Sequence, residues 1–180
     1  MNSAEVCGRI VLTFMRIPFD NLEAMRTVIR ECEIPVATGE RFINPAEFDS
    51  LMTTTGVRYI RPDMCVCGGL TAGKKIAAEA EMRGIYVIPH NPLGPISTAA
   101  CLQLDAVIPN FEIQEYPMGN DGCRLDCEMK EPFHLENGYI HVPEGPGLGV
   151  ELIDDIDTVF PFQGSYGGIN LHEDGSIVDR

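Results

Sequence analysis

The chain is short of positive charge: 13 lysines and arginines stand against 27 aspartates and glutamates, for a formal net charge of −14 and a pI near 4.5. That excess of acid argues against nucleic acid or an anionic membrane surface as the main partner, because both repel it. It leaves open a small anionic substrate held through a metal ion. Long apolar runs are missing as well, and no stretch approaches the roughly 18 residues needed to span a bilayer. The longest early run, Ile10 to Met15, is broken by Thr13 and flanked by Arg9 and Arg16, so no targeting segment is expected. Seven cysteines, an odd number without an export signal, read as reduced thiols in a cytoplasm. Paired C-x2-C knuckles are also absent. Cys65-Val66-Cys67 and Cys123 with Cys127 are spaced irregularly, which favours small buried or loop thiols over a zinc site.

One hydroxyl is missing where it decides a function. Gly68-Gly69-Leu70-Thr71-Ala72-Gly73-Lys74-Lys75 falls one residue short of the phosphate-binding loop G-x4-G-K-[S/T], with Lys75 in place of the magnesium-binding Ser or Thr. Thr71 reads as a helix N-cap, which would put Gly73 and Lys74 in the first helical turn. Nucleotide binding is therefore not expected.

What the chain does have is 44% hydrophobic residues over a length of 180, enough to bury one sizeable core. Short apolar runs alternate with helical patterns. Residues 1–8 are expected to fray, and Ile10 to Met15 reads as a strand. Asp20 reads as a helix cap, with Glu23 completing a capping box ahead of Leu22, Met25 and Ile29. Ile34 to Ala37 reads as a strand, then a helix from Pro45 to Met52 behind an Asn44 cap. The strand Arg58 to Arg61, a helix from Thr71 and the apolar run Ile85 to Ile88 follow. His90 comes next, then breakers at Pro92, Gly94 and Pro95, and a helix capped by Ser97 or Thr98. Phe111 to Glu115 closes the set. Repeated βα units of this kind predict parallel strands with right-handed crossovers.

A polar residue stands at the exit of each strand: Glu40, Asp63, His90 and Glu115. Their spacing of 23, 27 and 25 residues is close to one βα unit, since roughly 250 residues make an eight-unit barrel. Equal spacing places the four groups on one rim, at the strand ends where such folds keep their chemistry. Beyond residue 116 the pattern changes to turn-rich sequence, with a strand at Tyr139 to Val142, a short acidic helix over Glu151 to Phe160 and an extended tail. The expected organisation is a βα part over 1–116 and an appendage over 117–180. His134 and His172 read as surface residues.

Several segments resemble a known family: Ile34-Pro-Val-Ala-Thr-Gly-Glu-Arg41, Arg61-Pro-Asp63 with Gly68-Gly69-Leu-Thr71 and Lys75-Ile-Ala-Ala78, Pro89-His90-Asn-Pro-Leu-Gly-Pro-Ile96, and Gln114-Glu115. Together with Gly138 to Val142 and Pro146 to Leu152, they look like the C-terminal half of the enolase superfamily. The nearest branch is the mandelate racemase and muconate lactonising group, among its acid-sugar dehydratases. The resemblance implies a partial (β/α)8 TIM barrel, about strands four to eight, followed by an irregular C-terminal appendage with some β structure. It implies Mg2+ as cofactor, Glu40 as a metal ligand, and His90 as the base. It further implies Asp63 as the carboxylate paired with His90, and Glu115 as the acid near a sugar-acid substrate. Arg16 stands where the family has its fourth-strand metal-binding glutamate, and the third strand, the first two and a capping domain have no counterpart. The expectation is a part of a dehydratase that is inert alone and self-associates through its open barrel edges. The alternative is a non-catalytic half-barrel that binds a partner or a small acid.

Overall fold

The protein is described by a computed structural model, which covers residues 3–5, 21–117, 125–162 and 174. Helix α1 (Leu22–Glu31) starts from Asn21, whose Oδ1 accepts the Ala24 N–H at 2.9 Å. The cap is thus one residue later than Asp20, which lies outside the described residues. Asn21 stands three residues before an available N–H, which is the reach an N-cap needs. The Ile10–Met15 strand expectation, Arg16 and His172 also fall outside them.

A parallel sheet forms the centre, with β2 (Ala37–Thr38), β3 (Tyr59–Ile60) and β4 (Tyr86–Val87) side by side in that order. Ala37 lies opposite Tyr59, and Tyr59 opposite Tyr86. Single parallel bridges extend the pairing from Val87 to Phe111 and from Asp63 to His90. The Phe111–Glu115 strand is therefore reduced to a contact at its first residue. There the Val87 N–H donates to the Asn110 carbonyl, and the Glu112 N–H donates to the Val87 carbonyl.

The helices between the strands are α2 (Pro45–Thr55), α3 (Gly69–Met82) and α4 (Pro95–Asp105). Helix α2 begins as its sequence demands. Asn44 Oδ1 accepts the N–H groups of Ala46 and Glu47, and Glu47 Oε2 accepts back from the Asn44 N–H, with Pro45 in the first turn. It runs past Met52 to Thr55 and stops at Gly56. The other two starts differ from expectation. Gly68, not Thr71, precedes α3, because the turn closed by Cys67 N–H on the Asp63 carbonyl delivers the chain to the helix early. Gly94, not Ser97 or Thr98, precedes α4, where Pro95 presets the helical φ. Ser97 and Thr98 are buried inside the helix instead.

Phe48, Leu51, Ile60, Ile76, Val87 and Leu104 fill the space between helices and sheet, each at 1% exposure or less. Each such side chain contributes about 1.5–3 kcal/mol of hydrophobic stabilisation. Two glycines are set by close approach. A Cβ on Gly39, whose φ is +113°, would meet the Phe48 ring at 2.8 Å, and one on Gly73 would meet Met64 Sδ at 2.7 Å. Lys74 and Lys75 lie in α3, exposed.

A second, antiparallel sheet has the order β1 (Ser3–Glu5), β6 (Tyr139–His141), β5 (Leu135–Glu136). Ser3–Glu5 are thus paired in a strand rather than frayed. Ile140, Met129 and Phe133 pack with Ala99 and Leu102 of α4, joining this region to the βα part. The expected acidic helix over 151–160 shrinks to α5 (Ile156–Val159). Leu152 instead pairs with Met129 as extended chain, and hydrogen bonds link Lys130 to Glu151 and Ile153 to Glu128. No helix among the described residues is long and apolar enough to cross a membrane.

Candidate active site

Parallel pairing brings Thr38, Ile60 and Val87 level with one another, so the segments that follow them emerge on one rim. Asp63 and His90 extend that register by facing each other across a bridge, with the His90 N–H bonded to the Pro62 carbonyl at 3.1 Å. Their side chains meet as well: Asp63 Oδ2 lies 2.9 Å from His90 Nδ1. The other carboxylate oxygen, Oδ1, accepts the Cys65 N–H at 2.7 Å. Asp63 is therefore used at both oxygens and buried at 3% exposure. A carboxylate held in this way fixes the ring, and it favours the tautomer with the proton on Nδ1. Nε2 is then the basic nitrogen, and the imidazole side chain is 20% exposed.

Glu115 joins the same rim through two neighbours. Its Oε2 pairs with Arg61 Nη2 and also accepts the Asn91 N–H at 2.8 Å. Asn91 Nδ2 donates to the Glu115 carbonyl at 3.1 Å and to Thr98 Oγ1 at 2.8 Å. Thr98 is used here as an anchor inside α4, which is why it does not cap the helix. Arg61 and Asn91 are the residues that reading the sequence did not single out. The signal was present in their places: Arg61 stands two residues before Asp63, on the same side of an extended chain, and Asn91 follows His90 directly.

Glu40 sits half-buried in the turn after β2. No three side chains among His, Cys, Asp and Glu come together as cation ligands among the described residues. One carboxylate does not hold Mg2+ against water, so the described residues do not fit the metal that the resemblance implies, and no step is derived through it. Nor do the nearby thiols supply a ligand. Burial first, and the Asp63 charge next, push the Cys67 thiol up to about 11, so it keeps its proton at neutral pH. Cys65 and Cys127 are exposed, and Cys123 lies outside the described residues.

A family profile described as enolase C-terminal domain-like matches residues 16–156. A D-galactonate dehydratase from Cronobacter sakazakii is 39% identical over 157 residues, covering 83% of this chain and 41% of that protein. Another from Ralstonia nicotianae is 36% identical over 171 residues, covering 89% and 44%. The chain thus spans about two-fifths of the length of these curated relatives. Among solved structures, a mandelate racemase/muconate lactonizing enzyme from a Sulfitobacter species superposes with a TM-score of 0.76 at 33% identity, covering 91% of this chain and 39% of the other. One from Jannaschia gives 0.74 at 32% identity, covering 83% and 38%. By sequence and by backbone alike, this chain belongs to the enolase superfamily, in its mandelate racemase and muconate lactonising group, and is similar to the C-terminal half of a galactonate dehydratase.

Proposed function

We propose that the chain carries the acid–base part of an acid-sugar dehydratase site of the galactonate type, built on about strands four to eight of a barrel (residues 1–116) with the remainder as an appendage. The observation that carries this reading is the 2.9 Å contact between Asp63 and His90, which leaves Nε2 available on the rim. In the proposed reaction His90 Nε2 takes the proton from the carbon next to the substrate carboxylate. The hydroxyl on the neighbouring carbon leaves with its bonding electrons and is protonated to water, and the enol product tautomerises to a 2-keto-3-deoxy acid. A positioned base contributes about 10²–10⁴-fold to such a step. On this reading Glu115, bonded to the Asn91 N–H directly after His90, meets the substrate, while Glu40, the metal ligand that the resemblance implies, has no further ligand grouped with it among the described residues.

A second reading is favoured by the lack of a three-ligand cluster among the described residues. On that reading the same rim binds a sugar acid without turning it over. The two meet in one experiment on the protein of residues 1–180. D-galactonate should shift the His90 imidazole NMR signals, and the shift should vanish in Asp63→Asn, where the ring loses its orientation. Keto-acid formation with Mg2+ should stay at background, and the chain should self-associate. An imidazole indifferent to saturating sugar acid would sink both readings, and turnover lost in His90→Ala would decide for catalysis by these residues alone.

A further inference from the structure

Pro89 and Pro92 carry no N–H, so the chain between them has two main-chain donors, those of His90 and Asn91. They go to different neighbours. The His90 N–H donates to the Pro62 carbonyl at 3.1 Å, on the side where Asp63 holds the ring. The Asn91 N–H donates to Glu115 Oε2 at 2.8 Å on the other side. The main chain at the base is therefore suspended between two segments, and Asn91 supplies the second attachment. Its side chain reinforces that attachment. Asn91 is fully buried, and Nδ2 donates to the Glu115 carbonyl at 3.1 Å and to Thr98 Oγ1 at 2.8 Å. Oδ1 has no partner among the described residues, so the amide is oriented through its two donors alone. Turned over, it would set Oδ1 against the Glu115 carbonyl, acceptor against acceptor. Thr98, at 1% exposure, donates its hydroxyl proton to the Gly94 carbonyl at 3.3 Å, which leaves Oγ1 to accept from Asn91.

We propose, resting on the function above, that Asn91 and Thr98 are positioning residues for His90, with Thr98 acting through Asn91 from inside α4. The base is fixed in two separate respects. Asp63 sets which way the imidazole faces, and the Asn91 clamp sets where the main chain carrying it stands between the neighbouring segments. The first depends on the second, because the bond between Nδ1 and Asp63 weakens once its distance and angle drift. What matters at position 98 is the hydroxyl. Serine therefore substitutes, and valine, similar in shape but with no donor or acceptor, does not.

The test follows the isotopically labelled protein of residues 1–180 by NMR, with no ligand added. In the wild type both Nδ2 protons of Asn91 should give separate, slowly exchanging signals, and the His90 Nδ1 proton should be protected by Asp63. In Thr98→Val that Nδ1 proton should exchange with solvent about tenfold faster, the effect of losing one buried hydrogen bond. The change is remote, since among the described residues the Thr98 hydroxyl bonds only Asn91 and Gly94. Thr98→Ser should behave as the wild type. Asn91→Ala should be at least as fast as Thr98→Val, and combining the two should change little further, as for members of one chain of bonds. A merely structural Thr98 would lower the urea midpoint and leave the Nδ1 exchange alone. Folded Thr98→Val with wild-type Nδ1 exchange, or a serine variant as fast as the valine one, overturns the positioning role. So do Asn91 Nδ2 protons that exchange freely in the wild type, a reading that needs no variant and that misfolding cannot obscure. None of these readings uses a sugar acid, so failure of the proposed function is distinguishable from failure of this one.

Discussion

Replacing Asp105 with asparagine should flatten the pH dependence of the protein's stability and raise its stability relative to the parent as pH rises. Asp105 lies at the end of α4 with 6% exposure, and neither carboxylate oxygen has a hydrogen-bond partner among the described residues. Burial therefore pushes its carboxyl well above the ordinary value of 3.8. Above that ordinary value, and up to the raised one, the folded protein holds a proton that the unfolded chain releases. The proton difference between unfolded and folded states is −1, so stability falls as pH rises, by about 1.4 kcal/mol per unit. Below the window both states are protonated and the penalty is absent; above it both are ionised and the penalty is constant. Cys101, one turn earlier, adds no slope near neutral pH, where the unfolded thiol also keeps its proton; burial first and Asp105 next raise the folded thiol, so its contribution begins only above about pH 8.5. Asparagine removes the slope but leaves a buried amide whose unpaired atoms cost about 1–3 kcal/mol. The variant should therefore start level with or below the parent near about pH 4 and gain on it as pH rises through the window, by about 1.4 kcal/mol per unit. Urea unfolding at a series of pH values reads this directly. Parallel curves for the two proteins, offset but equally steep, would refute the argument.

Two further outcomes follow from the packing and from the lysine pair. Phe48→Ala should cost about 3–5 kcal/mol in the same unfolding assay, because the ring is fully buried, lies under Gly39 and packs edge-on against Phe42 at 5.3 Å; a loss under about 1 kcal/mol would mean that the site collapses freely. ATP with Mg2+ should show no binding by calorimetry to the wild type or to Lys74→Ala, since both lysines lie on the exposed face of α3; binding lost in that variant would restore the phosphate-loop reading.

The parts of the fold legible in the sequence were those where local chemistry and tertiary structure agree. Asn44-Pro45 with Glu47 satisfies its own helix terminus, so α2 needed no outside information. Where a tertiary partner claims the side chain, local reading fails. Thr98 looks like a cap but serves Asn91, and the stretch after Glu151 has helical composition but is drawn out as a strand partner for residues 128–130. Ser3–Glu5 gave no local signal because their partner is β6, more than 130 residues away. The rim was legible for a different reason: strand length and crossover length fix the spacing of exits, so His90 and Asp63 fall in step. Arg61 and Asn91 were not, because their meaning depends on a third residue, Glu115.

The main-chain pairing of Asp63 with His90 sets a rule for changing the length of this chain. Both residues are tied to the sheet by the same ladder that aligns Ile60 with Val87, so their meeting depends on the number of residues before them and not on those after. Removing or adding one residue between Tyr86 and Pro89 would rotate the imidazole to the opposite face and separate it from Asp63. The segment beyond His90 and Asn91, Pro92 to Gly94, sits past the last paired residue, and insertions there change the surroundings of the site without disturbing its register. After Asp63, by contrast, the chain is committed as far as Cys67, whose N–H closes on the Asp63 carbonyl. A library that varies loop length should therefore begin beyond Cys67 on one side and beyond Asn91 on the other.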